Sequence, residues 1–305
     1  MRFNEDAGLD VSEVRDLRGS GGGVGGRVAM GGGGVSIVGL LLYFLVSQFG
    51  GGGIDSGLGL GLGDVGAGEQ VQSGDLAREC RTGADANTNH DCAMVAIVNS
   101  VQDFWGDMFA RSGQTYREST TTFFNGGVST GCGTAGSEVG PFYCPADEGV
   151  YIDLSFFKQL QTQFGAQGGL FAEAYVLAHE YGHHVQNLLG TSSRVRGGTG
   201  PESDGVRLEL QADCYAGVWA NHATTTPTEN GQPLITEITQ ADIDSALDAA
   251  SRIGDDFIQR ELGSGRIDES QFSHGTSRQR ETWFTTGLRT GDPARCTTFS
   301  VRDLG

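Results

Sequence analysis

Two pairs of residues constrain this chain more than anything else in it. His179 and His183 stand four apart in His179-Glu180-Tyr181-Gly182-His183, inside Phe171 to Leu189, whose apolar spacing predicts a helix. Glu209 and Asp213 are also four apart, on a second expected helix from about Ser203 to Asn221. Residues four apart share a helix face. The two faces together supply the donors of one metal site.

H-E-x-x-H on a helix is the zinc-hydrolase pattern of metallopeptidases. A catalytic zinc takes three protein ligands and keeps one position open, and two histidines with a glutamate are a known set. This makes His179, His183 and Glu209 the expected ligands, with Asp213 the alternative to Glu209. Glu180, beside the first histidine, is the expected general base for water. Asp213, one turn beyond Glu209, is expected to accept the second N–H of a ligand histidine and fix its tautomer. A metzincin would need Gly at 186 and His at 189, and the chain has Gln186 and Leu189. His184 points about 100° away from His183 around the helix, behind the ligands or toward the surface. No C-x₂-C pair supports a structural zinc finger. Histidines on helices are often only core or surface residues, but here two independent pairs agree with one coordination scheme.

Composition narrows the rest. The formal net charge of -18 argues against nucleic acid as a partner. Lys158 is the only lysine, and 21 of the 51 glycines fall between Gly19 and Gly68. The remainder has ordinary glycine content and 230 residues from 76 to 305 in which to bury a core. The six cysteines suggest disulfides in an exported domain. Sequence separation favours Cys80–Cys92 and Cys132–Cys144. That leaves Cys214–Cys296, which would tie the second ligand helix to the C-terminal tail. Free buried thiols are the alternative for a cytosolic chain.

The expected organisation begins with a disordered cytoplasmic N-terminus at 1–34, polar and glycine-rich. A transmembrane anchor follows at 35–54, because no charge occurs from Val28 to Ile54 and Val35 to Phe49 is apolar. Arg15, Arg18 and Arg27 precede it and no Lys or Arg follows until Arg78, which places the remainder outside the cell membrane by the positive-inside rule. A cleaved signal peptide and a buried helix are the alternatives. Residues 55–75 read as a glycine-rich linker, and 76–305 as the metallopeptidase domain. Within it, helices are expected near 93–109, 239–262 and 276–289, and short strands at 120–124 and 150–154.

The stretches Gly140-Pro141-Phe142-Tyr143-Cys144-Pro145, Val150-Tyr151-Ile152-Asp153-Leu154, Ala174 to Gln186, Leu210 to Trp219, Ile253-Gly254-Asp255-Asp256 and Phe272-Ser273-His274-Gly275-Thr276-Ser277 resemble the bacterial neutral zinc metallopeptidases of the YpfJ type. The resemblance covers nearly the whole chain. It implies an α+β, mainly helical zincin-like domain of the gluzincin kind with a small sheet. It also implies a membrane anchor, one zinc per chain, a peptide or protein substrate, His179, His183 and Glu209 as ligands, and Glu180 as the catalytic residue. It carries no particular substrate.

Three further residues are candidates from their positions alone. His274, at the expected start of the last helix, is the candidate donor to the oxyanion of the attacked carbonyl, its plain alternative being a helix cap. Arg278, one turn on, is the candidate to orient His274 or to bind a substrate carboxylate. Ile152, in the strand 150–154, is the candidate for pairing with an extended substrate. The rival readings are a zinc-stabilised envelope binding module with little hydrolytic activity, and a zinc hydrolase of some other bond.

Overall fold

The computed structural model describes residues 1–18, 35–36, 76–196, 198–228 and 231–305. Among these, six helices of eight residues or more dominate: α1 (His90–Arg111), α2 (Ser155–Thr162), α3 (Leu170–Leu188), α4 (Asp204–His222), α5 (Gln240–Arg252) and α6 (Ser277–Thr290). Their ends follow local chemistry. Asn89 caps α1 and Ser203 caps α4 by accepting backbone N–H groups. Thr239 with Asp242, and Thr276 with Gln279, form capping boxes on α5 and α6. α6 stops at Gly291, whose left-handed backbone suits glycine.

α3 is buried on nearly every side and forms the axis of the molecule. It lies against α4 at unusually short range. A Cβ at Gly182 would sit 2.9 Å from the Cα of Ala212 and 3.0 Å from its carbonyl oxygen. The glycine inside H-E-x-x-H therefore sets how closely the two ligand-bearing helices approach. α4 in turn crosses α6 where Gly217 faces the backbone of Phe284 and Gly287 faces that of Cys214, contacts with no room for a Cβ at either glycine. The disulfide Cys214–Cys296 fastens the end of the chain to the same crossing. The other two disulfides are Cys80–Cys92 and Cys132–Cys144, so all three pairings are those that sequence separation favours.

The strands are short. β1 (Arg2–Phe3) pairs with β9 (Ile235–Glu237), and β5 (Gly127–Thr130) with β6 (Gly133–Gly136). The main sheet has the order β2-β4-β8-β7-β3, formed by β2 (Val14–Asp16), β4 (Thr121–Phe123), β8 (Gly149–Ile152), β7 (Phe142–Cys144) and β3 (Val35–Ser36). β2, β4 and β8 run parallel, while β7 is antiparallel to β8, and β3 to β7. α3 packs on β7 and β8.

Three expectations need correction. The N-terminal residues 1–18 are not a disordered tail. Phe3 is buried, and the Asn87 side chain holds its N–H and its C=O at 3.0 Å each. β2 is an edge strand of the main sheet. Arg18, expected to flank a membrane segment, instead bridges Asp16 at 2.7 Å and Asp91 at 2.8 Å and lies over the ring of Phe123.

The single-pass anchor is the second correction. No helix among the described residues is long and apolar enough to cross a membrane. The expected span 35–54 opens in β3, which is hydrogen-bonded to β7, and its remainder, with the 55–75 linker, lies outside the described residues. One crossing between residues 18 and 76 would also put β2 and β4 on opposite sides of a bilayer, yet they share a ladder. An apolar run without charges carries the hydropathy of a span, and long-range strand pairing leaves no mark in that run.

Third, the helix expected from 239 to 262 ends at Arg252. Gly254 meets the backbone of Ser277 where a Cβ would collide, and a short turn, Asp255–Phe257, starts anew.

Glu13 gives the N-terminal docking a pH dependence. Its carboxylate accepts from Asn99 on α1 at 2.5 Å, while burial, with Asp103 and Glu118 nearby, pushes it up to about 7 from 4.5. A folded pKa above the unfolded one gives a stability contribution that is complete below pH 4.5 and is lost as pH rises through 7. Between pH 5 and 8 the wild type should lose roughly 2 kcal/mol more stability than Glu13→Gln in denaturant titrations. Equal losses would contradict this assignment.

Candidate metal centre

The close approach of α3 and α4 brings three expected residues to one point. His179 Nε2 lies 3.3 Å from Glu209 Oε2, and His183 Nε2 lies 3.5 Å from Glu209 Oε1. Ligand atoms of all three residues lie within 4.8 Å of one another, and all three side chains are buried. Two donors held about 2.05 Å from one zinc at the tetrahedral angle would be about 3.3–3.4 Å apart. The cluster therefore has the spacing of a zinc ligand set.

The hydrogen bonding around it fits the same ion. The Nδ1 of His179 meets Asp213 Oδ1 at 2.8 Å, and the Nδ1 of His183 meets Gln186 Oε1 at 2.9 Å. Each acceptor receives a hydrogen bond from Nδ1–H, which keeps the proton on Nδ1, so each Nε2 presents its lone pair inward. Gln186 is itself fixed, its amide donating to Leu208 O at 2.7 Å and to Gln211 at 3.2 Å. His179 Nε2, His183 Nε2 and both carboxylate oxygens of Glu209 and of Glu180 are buried without a hydrogen-bond partner. Buried polar atoms without partners are costly and rare. Those of His179, His183 and Glu209 lie together, where a cation would satisfy them.

Charge points the same way. Burial alone would raise the carboxyl of Glu209, but His183 and His179 hold it well below the usual range. Burial pushes Glu180 up to about 8. Two buried carboxylates thus face the cluster, and the guanidinium nearest to them is committed elsewhere.

That guanidinium belongs to Arg280, on α6, which sequence reasoning missed. It is completely buried and grips Asp213 with two bonds of 2.9 Å, Nε to Oδ2 and Nη2 to Oδ1. Tyr175, one turn before His179, donates to Asp213 Oδ1 at 2.6 Å and accepts from Arg280 at 3.2 Å. Burial would raise Asp213, but Arg280 and His179 outweigh it and lower its pKa, so it stays ionised and keeps its hold on His179. Arg278 does not share this environment. It is exposed, two residues and about 200° of helix away from Arg280.

His274 is buried beside the cluster and within the electrostatic reach of Glu209. Burial would lower its pKa, but Asp255 and Glu209 raise it. Its loop is held by one carboxylate. Asp255 Oδ2 accepts from the backbone N–H of Ser273, His274 and Gly275 at 2.7, 2.7 and 2.9 Å, and His274 Nδ1 lies 2.8 Å from Ser273 Oγ. Gly275 has φ +92°, where glycine alone is comfortable. The signal for Asp255 was the stretch Ile253 to Asp256, which carried no role on its own.

Two other expected residues are placed differently. Ile152 is fully buried at the end of β8, which has β4 on one edge and β7 on the other. It has no free edge to offer a peptide. His184, left open between back and surface, is buried, with Nε2 at 2.6 Å from Arg117 O and Nδ1 at 3.1 Å from Tyr143 Oη. Tyr181 packs in the core, its hydroxyl 2.8 Å from Thr121 Oγ1.

The two arginines separate by experiment. Arg280→Met leaves Asp213 buried without its cation, which should cost about 3–5 kcal/mol of stability and lower zinc affinity about 10–100-fold, read by chelator competition. Arg278→Met should change neither, and equal effects from the two would contradict the arrangement.

Comparison with known proteins agrees with this geometry. A family model described as "Putative neutral zinc metallopeptidase" matches residues 1–299. The chain is 50% identical over 239 residues to the uncharacterized protein Rv2575 of Mycobacterium tuberculosis (strain ATCC 25618 / H37Rv), covering 78% of this chain and 80% of that one. It is 45% identical over 209 residues to the uncharacterized protein YpfJ of Escherichia coli (strain K12), covering 67% and 69%. No solved structure matches it. With nearly every residue under one family model, the folded N-terminus included, the chain belongs to the neutral zinc metallopeptidase family of the YpfJ type.

Proposed function

We propose that this protein hydrolyses peptide bonds with one zinc per chain, held by His179, His183 and Glu209. The observation that carries this reading is the clustering of His179, His183 and Glu209, whose ligand atoms lie within 4.8 Å of one another and are buried without hydrogen-bond partners. The set of two imidazoles and one carboxylate suits zinc and leaves a fourth position for a reactant. Zinc, when bound, supplies Lewis-acid activation of water and of the scissile carbonyl.

The chain's own residues do the rest. Glu180 is poised as general base: burial raises its proton affinity, and both its oxygens are free of hydrogen bonds inside the protein. It accepts a proton from water and passes it to the leaving amine nitrogen. Asp213 holds the His179 ring at a fixed angle, and Arg280 and Tyr175 hold Asp213. His274, on the loop pinned by Asp255, is the candidate donor to the oxygen of the attacked carbonyl. Because Asp255 fixes that loop through three backbone N–H groups, the imidazole is preorganised and does not need to be recruited by substrate.

The test is cleavage of a diverse peptide mixture by the zinc-loaded full chain beside its Glu180→Gln variant. The wild type should cleave and the variant should lose about 10²–10⁴-fold in rate with zinc still bound, the usual contribution of a positioned base. Absence of cleavage by either, with zinc bound to both, would favour a binding module in its place.

A further inference from the structure

The two histidines of the candidate metal site are oriented by acceptors of different chemistry. Asp213, beside His179, is an ionised carboxylate and can only accept. Gln186, beside His183, is an amide, with an oxygen at one end and an NH₂ at the other. With its oxygen toward His183 Nδ1, the proton stays on Nδ1 and Nε2 offers a lone pair. Reversed, the amide would donate to Nδ1, the proton would sit on Nε2, and the ligand atom would be blocked. The direction in which the Gln186 amide faces therefore decides whether His183 can bind a metal. Nothing within Gln186 sets that direction, so its neighbours must.

They do so in a chain that ends on a backbone carbonyl. Gln186 Nε2 donates to Leu208 O at 2.7 Å and to Gln211 Oε1 at 3.2 Å, and Gln211 Nε2 donates to Cys296 O at 2.9 Å. A carbonyl oxygen has no proton to give, so Cys296 O fixes the NH₂ end of Gln211, and the oxygen of Gln211 then fixes the NH₂ end of Gln186. Gln186, Gln211 and Cys296 are all buried, where a reversed amide would set donor against donor. The Cys296 carbonyl is held in turn. The disulfide Cys214–Cys296 ties it to α4 one turn beyond Gln211. Thr298 Oγ1 donates to Arg207 O at 2.7 Å, and the Arg207 guanidinium donates to Thr298 O and to Val301 O, the latter at 2.8 Å. Arg207, Gln211 and Cys214 share one face of α4 by their spacing, so residues 296–301 are strapped along the helix that carries Glu209. We propose that Gln211 is a positioning residue for His183, acting through the Gln186 amide, and that the Cys214–Cys296 disulfide makes the C-terminal segment part of that support. This rests on the reading of His183 as a metal ligand. It gives the disulfide a role in metal binding beyond fastening the chain end.

The experiment uses the full chain, Gln211→Met, which keeps the side chain's length and removes both of its hydrogen bonds, and Cys214→Ala/Cys296→Ala. Cys80→Ala/Cys92→Ala is the control that loses a disulfide outside the relay. Zinc affinity is read by chelator competition, and the His183 tautomer by proton–nitrogen NMR of the metal-free chain with labelled histidine. The wild type should show the Nδ1–H form at His183. In Gln211→Met and in Cys214→Ala/Cys296→Ala, an Nε2–H signal should appear at His183 and zinc affinity should fall about threefold or more, below the loss of about 10–100-fold usual when a ligand's direct partner is removed. The control should keep the wild-type affinity and tautomer. Unchanged affinity in Gln211→Met would overturn the proposal. So would weaker zinc binding with the wild-type tautomer, which a loss of packing alone would give. Equal losses in the two disulfide variants would overturn the part assigned to Cys214–Cys296, and if Cys214→Ala/Cys296→Ala fails to fold, Gln211→Met decides the proposal by itself. An Nε2–H signal in Gln211→Met when no form binds zinc would uphold the relay and tell against the metal site alone.

Discussion

Asp213 is one buried carboxylate that serves three helices. It accepts a hydrogen bond from Nδ1 of His179 on α3, sits itself on α4, and receives two bonds from Arg280 on α6, with the Tyr175 hydroxyl closing the group. A carboxylate without exposure is costly unless it is paired and hydrogen-bonded, and here it is both. Remove any partner and the others lose the geometry that makes burial tolerable. The arrangement makes the orientation of one candidate metal ligand depend on the packing of the whole helical layer. Gly182, Gly217 and Gly287 permit the close crossings that bring the three helices within reach of Asp213. The Cys214–Cys296 disulfide holds the chain end against the same crossing.

Charge accounts for what that network leaves over. Arg280 is matched by Asp213, so Glu209 and Glu180 face the cluster without a cation of their own. The inward-facing Nε2 atoms of His179 and His183 complete a site where a divalent ion would satisfy donors and charge together. The sheet side is equally specific. α3 is anchored to β7 by Asn187 and His184, which both meet the Tyr143 hydroxyl, so the expected base and two of the expected ligands lie on a helix fixed to the sheet.

What was legible in the sequence was mostly local. The i, i+4 pairs marked the residues that cluster, because one helix turn fixes their common face. Thr239 with Asp242 announced the start of α5, and cysteine spacing matched the three disulfides. What escaped was set by contacts between distant parts of the chain. Arg278 and Arg280 differ by about 200° around a helix whose buried face is decided by its packing on α4 and α5. Asp255 acts through a loop eighteen residues away. β7 is three residues long, and its neighbours, β8 and β3, follow no local rule. The N-terminal misreading has the same root: hydropathy and arginine placement describe a membrane span well, and they are blind to β2 pairing with β4 over a hundred residues away.

The central claim is that His179, His183 and Glu209 bind zinc. X-ray absorption at the zinc edge of the loaded full chain tests it directly. The account predicts one zinc per chain with nitrogen and oxygen neighbours only, at about 2.0–2.2 Å, two of them imidazoles, and loss of one oxygen ligand or of the metal in Glu209→Ala. A sulfur shell near 2.3 Å, or a spectrum unchanged in Glu209→Ala, would contradict it.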